Sequence, residues 1–466
     1  MYKIELNKPC RIHFIGIGGI SMSGFAEYLH NKDFIVSGSD STESKITDHL
    51  SDLGIKVYYG NRAANITSDI DVVVYTAAIM KDNEEYIEVQ KRGIPALSRA
   101  EMIGQLMLNF DNAVTVSGTH GKTTTTSMLS IIFMEGDMDP TISVGGILEC
   151  IGGNTRTGNS EHFIIEACEY TNTFLEFYPK RSIILNIDAD HLDFFKDLED
   201  IRNSFHLFAK RIPKEGQLFI NGEIDRYEEI TKDLACEVFT YGIADPNHRS
   251  KDMAFDYAAD NIEFHLGTGS FDLYYKGEYV DRIVLNTLGL HNISNSLPTI
   301  GVALQTGIPI DKVKAALLKF KNSKRRFDYK GNIGGVDIID DYAHHPTEVT
   351  ATLTSARAYS KGTVWCVFQP HTYSRTKHLL KDFAKALSLA DKIVLTDIYA
   401  SREKDPGDIS SKDLVKELEL MGKEVYYSPS FDEIENFLLQ NCMNGDLLIT
   451  MGAGDIGSIG ESLLGQ

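Results

Sequence analysis

A turn rich in glycine and threonine stands between a predicted strand and a predicted helix at residues 113–134, and its residue types suit phosphate. The apolar run Ala113 to Val116 predicts a buried strand, and the apolar spacing from Thr123 to Met134 predicts a helix. Exposed N–H groups in such a turn, with a helix N-terminus behind them, hold phosphate oxygens. In this interpretation Lys122 places a positive charge at the outer phosphates, and the Thr123 hydroxyl reaches a Mg²⁺ ion.

The same turn departs from the usual G-x-x-x-x-G-K-[ST] phosphate loop. Gly118 and Gly121 stand too close together, and Val116 occupies the place of the first glycine. Taken alone, the pattern therefore also fits an ordinary connection between a strand and a helix.

Polar side chains follow two further predicted strands. Strand His162 to Ile165 delivers Glu166 at its end, and strand Ile183 to Ile187 precedes an acidic stretch that contains His191. Because the carboxyl ends of parallel strands share one edge of a sheet, these groups should face the phosphate turn. Thr123, Glu166 and His191 are therefore expected to converge on one or two Mg²⁺ ions, although histidine is a less usual ligand for so hard an ion. The alternatives are a helix-capping or buried His191 and a solvated strand end at Glu166.

A second glycine-rich turn lies near the N-terminus. Arg11 to Ile15 predicts a strand, Gly16 to Gly24 a turn, and residues 25–32 a helix, before a second strand that ends at Asp40. This is the layout of a nucleotide-binding βαβ unit. The dinucleotide pattern expects glycine or alanine where Ser21 stands, so the match to it is partial.

Three interpretations fit this second turn: NAD binding, a tight turn without a ligand, and a nucleotide sugar. In the last one Gly16, Gly18 and Gly19 admit the diphosphate, and Asp40 lies near the nucleoside. A further predicted strand, Asp71 to Ile79, should bring Thr76 to the same edge of the sheet.

The middle and the end of the chain add further polar groups. Alternating residues around the Lys276–Gly277 turn predict appended antiparallel strands, and a helix is expected to start near His291, capped by Asn292 or Ser294. From residue 325 onward strands and helices alternate, which predicts another doubly wound α/β domain. Polar groups cluster at its strand ends: Arg325, Arg326, Asp341, His344, His371 and Arg375.

Two of these groups have a specific interpretation. Arg375 suits bidentate binding of a carboxylate. The pair Arg325 and Arg326 fits either a site or a solvated linker.

Composition narrows the function classes. The 466 residues carry 66 acidic against 46 basic side chains, a net charge of −20, which disfavours nucleic acid and anionic membranes as partners. Six scattered cysteines without a C-x-x-C pair fit reduced thiols in the cytoplasm. The chain has no signal-peptide core and no apolar run near the ~20 residues that span a bilayer, so we expect a soluble cytoplasmic protein.

Taken together, the chain resembles the Mur ligase family. The resemblance rests on motifs that follow one another along the whole chain: HFIGIGGISMSG, SGTHGKTTT, EACEY, NIDADHLDFF, HNISN, RRFD, DDYAHHPTE, FQPHTYSRT and GAGD. It implies an α/β fold of three domains. These are a Rossmann-like UDP-sugar domain at residues 1–107, a central P-loop-type ATPase domain with appended antiparallel strands at 108–324, and a Rossmann-like C-terminal domain at 325–466 that closes over ATP and the amino acid.

The resemblance also implies roles for individual residues. The catalytic groups would be Lys122, Glu166, His191 and, as a base, His344, with Mg²⁺ on Thr123, Glu166 and His191. ATP would contact Gly118, Thr119, His120, Gly121, Lys122, Thr123, Thr124, His291, Asn292, Asn295, Arg326 and Asp341. The UDP-sugar would contact Gly16, Gly18, Gly19, Ile20, Ser21, Asp40 and Thr76, and the amino acid would contact His371 and Arg375.

The reaction implied by the resemblance is ATP-dependent attachment of L-alanine to the lactyl carboxylate of UDP-N-acetylmuramate through an acyl phosphate. Its partners are these small molecules, and the expected state is a monomer or a weak dimer. Three positions depart from the pattern of many relatives: Ser21, Cys168 and Thr372 stand where glycine, aspartate and arginine are common. Cys168 is therefore left out of the metal set, and Thr372 leaves Arg375 alone on the amino-acid carboxylate.

Three alternatives accompany this interpretation. The first is a sister ligase that attaches a murein tripeptide to the same UDP-sugar. The second is a nicotinamide-dependent oxidoreductase, which leaves the SGTHGKT turn and Glu166 without a role. The third is a nucleotide-binding scaffold without catalysis, against which the joint presence of Lys122, Glu166 and His191 argues.

Overall fold

The computed structural model describes residues 2–76, 79, 82–244, 255–265, 268–321 and 325–465. The chain divides into two compact units. The first comprises Met1–Asp260, Leu273–Asp281 and Asn295–Leu317, and the second comprises Asn261–Asp272, Arg282–Ser294 and Leu318–Gln466. The predicted boundary between residues 324 and 325 adjoins residues 322–324, which lie outside the described residues.

The first sheet is parallel and has helices between its strands. Its elements are β1 (Arg11–Ile15), α1 (Ile20–His30), β2 (Ile35–Asp40), α2 (Lys45–Asp52), β3 (Lys56–Tyr59), β4 (Val72–Tyr75), α3 (Glu84–Arg92), β5 (Ala96–Ser98) and α4 (Arg99–Met107). The strand order is β3-β2-β1-β4-β5. The order reverses between β1 and β4, and a crevice at such a switch point is where open α/β sheets bind ligands.

The second sheet has ten strands. Its elements are β6 (Asn112–Ser117), α5 (Lys122–Glu135), β7 (Thr141–Leu148), β8 (Gly153–Arg156), β9 (His162–Ala167), β10 (Arg181–Ile184), α6 (Leu198–Ala209), β11 (Gln217–Asn221), α7 (Tyr227–Thr231), β12 (Glu237–Ile243), β13 (Tyr257–His265), β14 (Thr268–Tyr275), β15 (Glu278–Leu285), α8 (Leu290–Thr306) and α9 (Ile310–Lys319). The strand order is β15-β14-β13-β12-β11-β10-β6-β9-β7-β8. Strand β6 thus lies between β10 and β9 and is parallel to both, so the loops after these three strands share one edge.

The third sheet belongs to the second unit. Its elements are β16 (Asp328–Ile333), β17 (Val336–Asp341), α10 (Pro346–Tyr359), β18 (Val364–Phe368), α11 (Tyr373–His378), α12 (Leu380–Leu387), β19 (Lys392–Leu395), α13 (Ser411–Leu420), β20 (Val425–Tyr427), α14 (Phe431–Asn441), β21 (Leu447–Met451) and α15 (Gly457–Leu463). In the order β16-β17-β21-β18-β19-β20 only the edge strand β16 is antiparallel. Apolar cores cover both faces, one with Leu353, Phe383 and Leu414 and the other with Ile434, Leu438 and Ile459. The predicted doubly wound domain is confirmed.

The predicted α/β class with three such domains is confirmed, whereas several element bounds were wrong. Helix α1 begins at Ile20 rather than at Phe25, because Gly24 lies inside the helix instead of ending a turn. A Cβ atom at Gly24 would overlap the side chain of Thr155 on β8, so the glycine permits close packing. Strand β10 ends at Ile184, three residues earlier than predicted.

None of the helices in the described parts of the chain is long and apolar enough to cross a bilayer.

Candidate functional site

The turn between β6 and α5 requires glycine at two positions. Gly118 and Gly121 have φ angles of 138° and 83°, values that side-chain-bearing residues rarely adopt. A Cβ atom at Gly118 would lie 2.9 Å from Cβ of Leu185. Gly121 precedes Lys122, the first residue of α5, so the turn delivers the chain directly to a helix N-terminus. Thr123 and Thr124 follow in the first turn, where backbone N–H groups lack helical partners and suit phosphate.

Asn186, which sequence reasoning missed, holds this turn in place. Its side-chain oxygen accepts a 2.7 Å hydrogen bond from the His120 N–H, and its side-chain nitrogen donates at 3.0 Å to the His120 carbonyl. The Asn186 carbonyl accepts from the Thr119 N–H at 3.2 Å, and the Thr119 hydroxyl accepts from the Asp188 N–H at 2.9 Å. The signal was its position directly after a strand on the edge that carries the turn.

Lys122 forms an ion pair with a buried carboxylate, Glu169, that the sequence analysis did not identify. Its ammonium group donates to the carbonyls of Gly118 and Thr119 and lies 3.1 Å from Oε2 of Glu169, whose side chain is only 3 % exposed. Burial is the largest single influence on the pKa of Lys122 and lowers it, but the charge and hydrogen bond of Glu169 together with Cys168 and Glu166 outweigh burial and raise this pKa. Lys122 is therefore firmly protonated.

Glu166 lies in β9 rather than just beyond it. Its Oε1 accepts a 2.5 Å hydrogen bond from the N–H of Gly145, and a Cβ atom at Gly145 would lie 2.7 Å from Oε2. A Cβ atom at the next residue, Gly146, would lie 3.3 Å from the methyl carbon of Thr123. The two glycines thus let strand β7 pass close to both Glu166 and Thr123, two of the three predicted metal ligands.

His191, the third predicted ligand, is neither a helix cap nor a buried core histidine. Its side chain is 30 % exposed, and its φ angle of 54° places the backbone in the left-handed region. Its ring packs against that of Tyr170 at a tilt of 34°, with 4.6 Å between centroids, and Nε2 lies 3.9 Å from Oε1 of Glu169. The structure therefore brings His191 to the same carboxylate that contacts Lys122.

The N-terminal glycine turn is built around Asp40. The N–H groups of Gly16 and Ile17 donate to the Ser39 carbonyl, and the N–H of Gly18 donates to Oδ2 of Asp40 at 2.9 Å. Gly16 has a φ angle of 82°, and a Cβ atom there would lie 2.8 Å from the methyl carbon of Thr76. Because α1 begins at Ile20, both Ile20 and Ser21 lie in its first turn, next to this glycine turn.

Two neighbouring cavities connect these features within the first unit. The first cavity, about 510 Å³, is lined by Gly16, Gly19, Asp40, Asn61, Thr76 and Asn83, among others. The second cavity, about 420 Å³, is lined by Gly19, Ile20, Ser21, Thr76, Arg99 and Glu166, among others. Gly19 and Thr76 line both cavities, so a ligand that extends from the glycine turn reaches Glu166. Cys168 lines the second cavity, and burial raises the pKa of its thiol.

In the second unit, the carboxylate of Glu348 on α10 contacts two of the predicted site residues, His344 and Arg326. Its Oε2 accepts from the N–H groups of His344 and His345 at 3.0 and 3.2 Å. Arg326 lies 3.6 Å from its Oε1. Sequence reasoning missed Glu348, although it belongs to the DDYAHHPTE motif.

His344 is held as a neutral imidazole. Burial lowers its pKa, against the charge of Glu348, and the Tyr342 carbonyl lies 2.9 Å from Nδ1. A carbonyl only accepts hydrogen bonds, so Nδ1 carries the proton and Nε2 keeps its lone pair. The ring of His371 lies 5.4 Å away, and Nδ1 of His371 accepts from Arg375 at 3.1 Å.

The two adjacent arginines have different surroundings. Arg325 donates to Oδ2 of Asp340 at 2.8 Å and to the carbonyls of Gly452 and Gly454 at 2.8 and 2.9 Å, which fixes the loop after β21. The solvated-linker interpretation is therefore wrong for Arg325. Both guanidinium carbons lie near the ring of Tyr342, at 5.2 Å from its centroid for Arg325 and 5.4 Å for Arg326, and Arg326 also lies near Glu348.

Asp341 and His291 lie in the same electrostatic surroundings as Arg326. Burial raises the pKa of Asp341 to about 6, and its two oxygens accept from the N–H groups of Phe327 and Ala343, each at 2.8 Å. Burial lowers the pKa of His291 to about 4, with the charge of Arg326 acting in the same direction.

The helix-cap prediction at Asn292 and Ser294 was wrong, because α8 begins at Leu290. The side chain of Asn292 donates back to the Leu288 carbonyl at 2.7 Å and to the Thr287 hydroxyl at 3.1 Å. Asn295, in the first unit, lies beside the phosphate turn: a Cβ atom at Gly121 would be 3.0 Å from its Oδ1. Thr372, at the start of α11, has a φ angle of 64°, a strained value for a β-branched residue.

Three family models match the chain in sequence. These are the Mur ligase family, catalytic domain (residues 11–111), the Mur ligase middle domain (116–303), and the Mur ligase, glutamate ligase domain (325–454). The chain belongs to the Mur ligase family, whose members are ligases.

Individual members of the family are similar to the chain over its whole length. The chain is 58 % identical to a UDP-N-acetylmuramate–L-alanine ligase of Lachnoclostridium phytofermentans and 54 % identical to one of Lachnospira eligens. In each comparison the aligned region covers 100 % of this chain and 100 % of the relative. Among solved structures it resembles the UDP-N-acetylmuramate-alanine ligase of Thermotoga maritima, with a TM-score of 0.76, 28 % identity and 98 % coverage of each chain. A murein peptide ligase of Psychrobacter arcticus shares the fold, with a TM-score of 0.64, 23 % identity and 98 % coverage of each chain.

Proposed function

We propose that this enzyme joins L-alanine to the lactyl carboxylate of UDP-N-acetylmuramate at the expense of ATP, in the synthesis of peptidoglycan precursors. The observation that carries the proposal is the pair of cavities that runs from the first glycine turn to Glu166, beside the helix N-terminus that follows the phosphate turn. Such a cleft accepts an elongated anionic nucleotide sugar and directs its far end toward phosphate-binding amides.

We assign the ATP phosphates to residues 118–124 and the outer-phosphate charge to Lys122. The adenine contacts are assigned to His291, Asn292 and Asn295, and the contacts to the phosphates and ribose to Arg326 and Asp341. Each of these assignments follows the family motifs on this chain. The raised pKa of Lys122 supports its role, because a protonated ammonium is needed to balance the charge of the transferred phosphoryl group.

Mg²⁺ is assigned to Thr123, Glu166 and His191. The donor set fits, because two of the three donor groups are oxygens and strand β7 passes close to both Glu166 and Thr123 at Gly145 and Gly146. When bound, Mg²⁺ supplies positive charge at the phosphates. Cys168 stays outside this set, because burial keeps its thiol protonated.

The chemistry begins with the lactyl carboxylate. One of its oxygens attacks the γ-phosphorus of ATP, the bond to the β-phosphate oxygen breaks, and ADP leaves an acyl phosphate behind. The neutral amine of L-alanine then attacks the acyl carbon, and inorganic phosphate leaves. Positioning and charge compensation carry the first step, since the protein contributes little covalent chemistry to phosphoryl transfer.

The amino acid is assigned to the cluster in the second unit. Arg375 pairs with the carboxylate of alanine, beside His371. His344 accepts the proton of the attacking amine at Nε2. The neutral tautomer with its proton on Nδ1 supports this role, because it leaves a basic lone pair on Nε2.

The domain bounds 1–107, 108–324 and 325–466 remain part of the proposal, as do cytoplasmic location and a monomeric or weakly dimeric state. ATP and UDP-sugars are substrates of the cytoplasm, which supports the location. An NAD-dependent oxidoreductase is disfavoured, because it leaves the Lys122–Glu169 pair and Glu166 without a task.

The test is release of ADP by the purified chain with UDP-N-acetylmuramate, ATP and Mg²⁺, with amino acids added singly. L-Alanine should give turnover, and L-alanyl-γ-D-glutamyl-diaminopimelate should not. Turnover with the tripeptide alone would identify the sister ligase instead. Lys122→Met should abolish turnover in the same assay, and full activity in that variant would refute the assignment of the phosphate turn.

A further inference from the structure

The second cavity contains one cation, Arg99, that no motif had marked. Among the described residues that line the two cavities, Arg99 is the only lysine or arginine, whereas Asp40, Asp82, Glu84 and Glu166 are acidic. The nucleotide sugar of the proposed function carries two phosphates and a carboxylate. An anionic ligand in so acidic a cleft requires local compensation of charge.

Arg99 is also placed at a local electrostatic cost. It is the first residue of α4, after the capping residue Ser98, and a cation in the first turn opposes the helix dipole. The carboxylate of Glu101 accepts from the Ser98 N–H at 2.7 Å in a capping box rather than forming an ion pair with Arg99. Within the described residues no carboxylate forms an ion pair with Arg99. The half-buried Arg99 side chain thus lines the cavity without an ion-pair partner among the described residues.

The diphosphate has a separate binding element. The glycine turn and the first turn of α1, an 11-residue helix with no side-chain cap, offer free N–H groups beside Gly19. Arg99 lines only the second cavity, together with Glu166, whereas Gly19 lines both. The substrate group nearest Glu166 in the proposed reaction is the lactyl carboxylate.

We propose that Arg99 binds the lactyl carboxylate of the muramyl nucleotide and orients it for attack on the γ-phosphate. This assignment rests on the proposed function. A guanidinium offers two parallel N–H donors to a carboxylate, so it fixes the direction of the oxygens as well as compensating their charge. Arg99 would then distinguish the muramyl nucleotide from UDP-N-acetylglucosamine, which has the same diphosphate but no lactyl group.

The test is calorimetric titration of the full chain with UDP-N-acetylmuramate and, separately, with UDP-N-acetylglucosamine. Arg99→Gln should weaken binding of the muramyl nucleotide by about 10- to 100-fold, the effect of losing a charge-assisted hydrogen-bonded pair, and leave the other nucleotide within about twofold. Arg92→Gln, an exposed substitution on α3 with the same change in net charge, is the matched control and should behave as wild type.

Two results would overturn the assignment. Equal losses for both nucleotides would place Arg99 on the diphosphate, and unchanged binding of both would leave it without a role in substrate binding. If Arg99→Gln fails to fold, Arg99→Lys keeps the charge but loses the bidentate geometry, and should raise KM for the muramyl nucleotide with KM for ATP unchanged. Failure of the wild-type chain to bind the muramyl nucleotide would instead refute the proposed function.

Discussion

Replacing Gly145 by alanine should separate catalysis from stability. The new Cβ atom would lie 2.7 Å from Oε2 and 3.0 Å from Oε1 of Glu166. An ordinary contact begins at 3.4 Å, so the carboxylate must withdraw from 2.7 to 3.4 Å, by about 0.7 Å. Because the displaced atoms are the far end of a flexible side chain, this movement costs little folding free energy.

The same movement should be costly for the reaction. It stretches the 2.5 Å hydrogen bond from the Gly145 N–H and displaces the carboxylate of Glu166, a predicted Mg²⁺ ligand, from its position beside strand β7. Misplacement of a catalytic group by about 1 Å costs on the order of 100-fold in rate. We therefore expect kcat to fall by about 10- to 100-fold, with the melting temperature within about 2 °C of wild type.

The assay is steady-state ADP release with saturating substrates over a series of Mg²⁺ concentrations, alongside thermal unfolding. Gly153→Ala, on the neighbouring strand β8, is the control, because a Cβ atom there meets nothing within 4 Å. Wild-type kcat in Gly145→Ala at every Mg²⁺ concentration would refute the placement of Glu166 at the reacting phosphates.

Three further predictions concern other parts of the molecule. Gly104→Ala would drive a Cβ atom into the backbone carbonyl of Glu176, so the free energy of unfolding in urea should fall by about 1–3 kcal/mol. Asn186→Ala removes both side-chain hydrogen bonds to the His120 backbone, and the Kd for ATP should rise about tenfold in a binding titration. The pKa of His291 lies below its ordinary value, so the unfolded chain binds the proton first as pH falls. Stability should therefore decline from about pH 6.5 to about pH 4, and His291→Gln should show a smaller decline in melting temperature.

The sequence predicted the features that depend on local pattern. Hydrophobic periodicity and glycine turns identified the three α/β regions, and the ordered motifs identified the family, which the family models confirmed. Residue type and position after a strand were enough to nominate Lys122, Glu166 and Asp341, because parallel topology brings strand ends to one edge.

Only the tertiary structure determined which groups contact these residues. Glu169 and Asn186 contact the phosphate turn because loops after different strands pack together. The contacts of Glu348 are local, since its carboxylate caps the start of α10 at His344 and His345. The tertiary structure also distinguishes the two arginines, since Arg325 donates to Asp340 and to the loop after β21, whereas Arg326 lies near Glu348. Gly24 shows why such contacts escape sequence analysis. A glycine inside a helix is locally destabilising, and the close approach of β8, where a Cβ atom would overlap Thr155, explains its presence in α1.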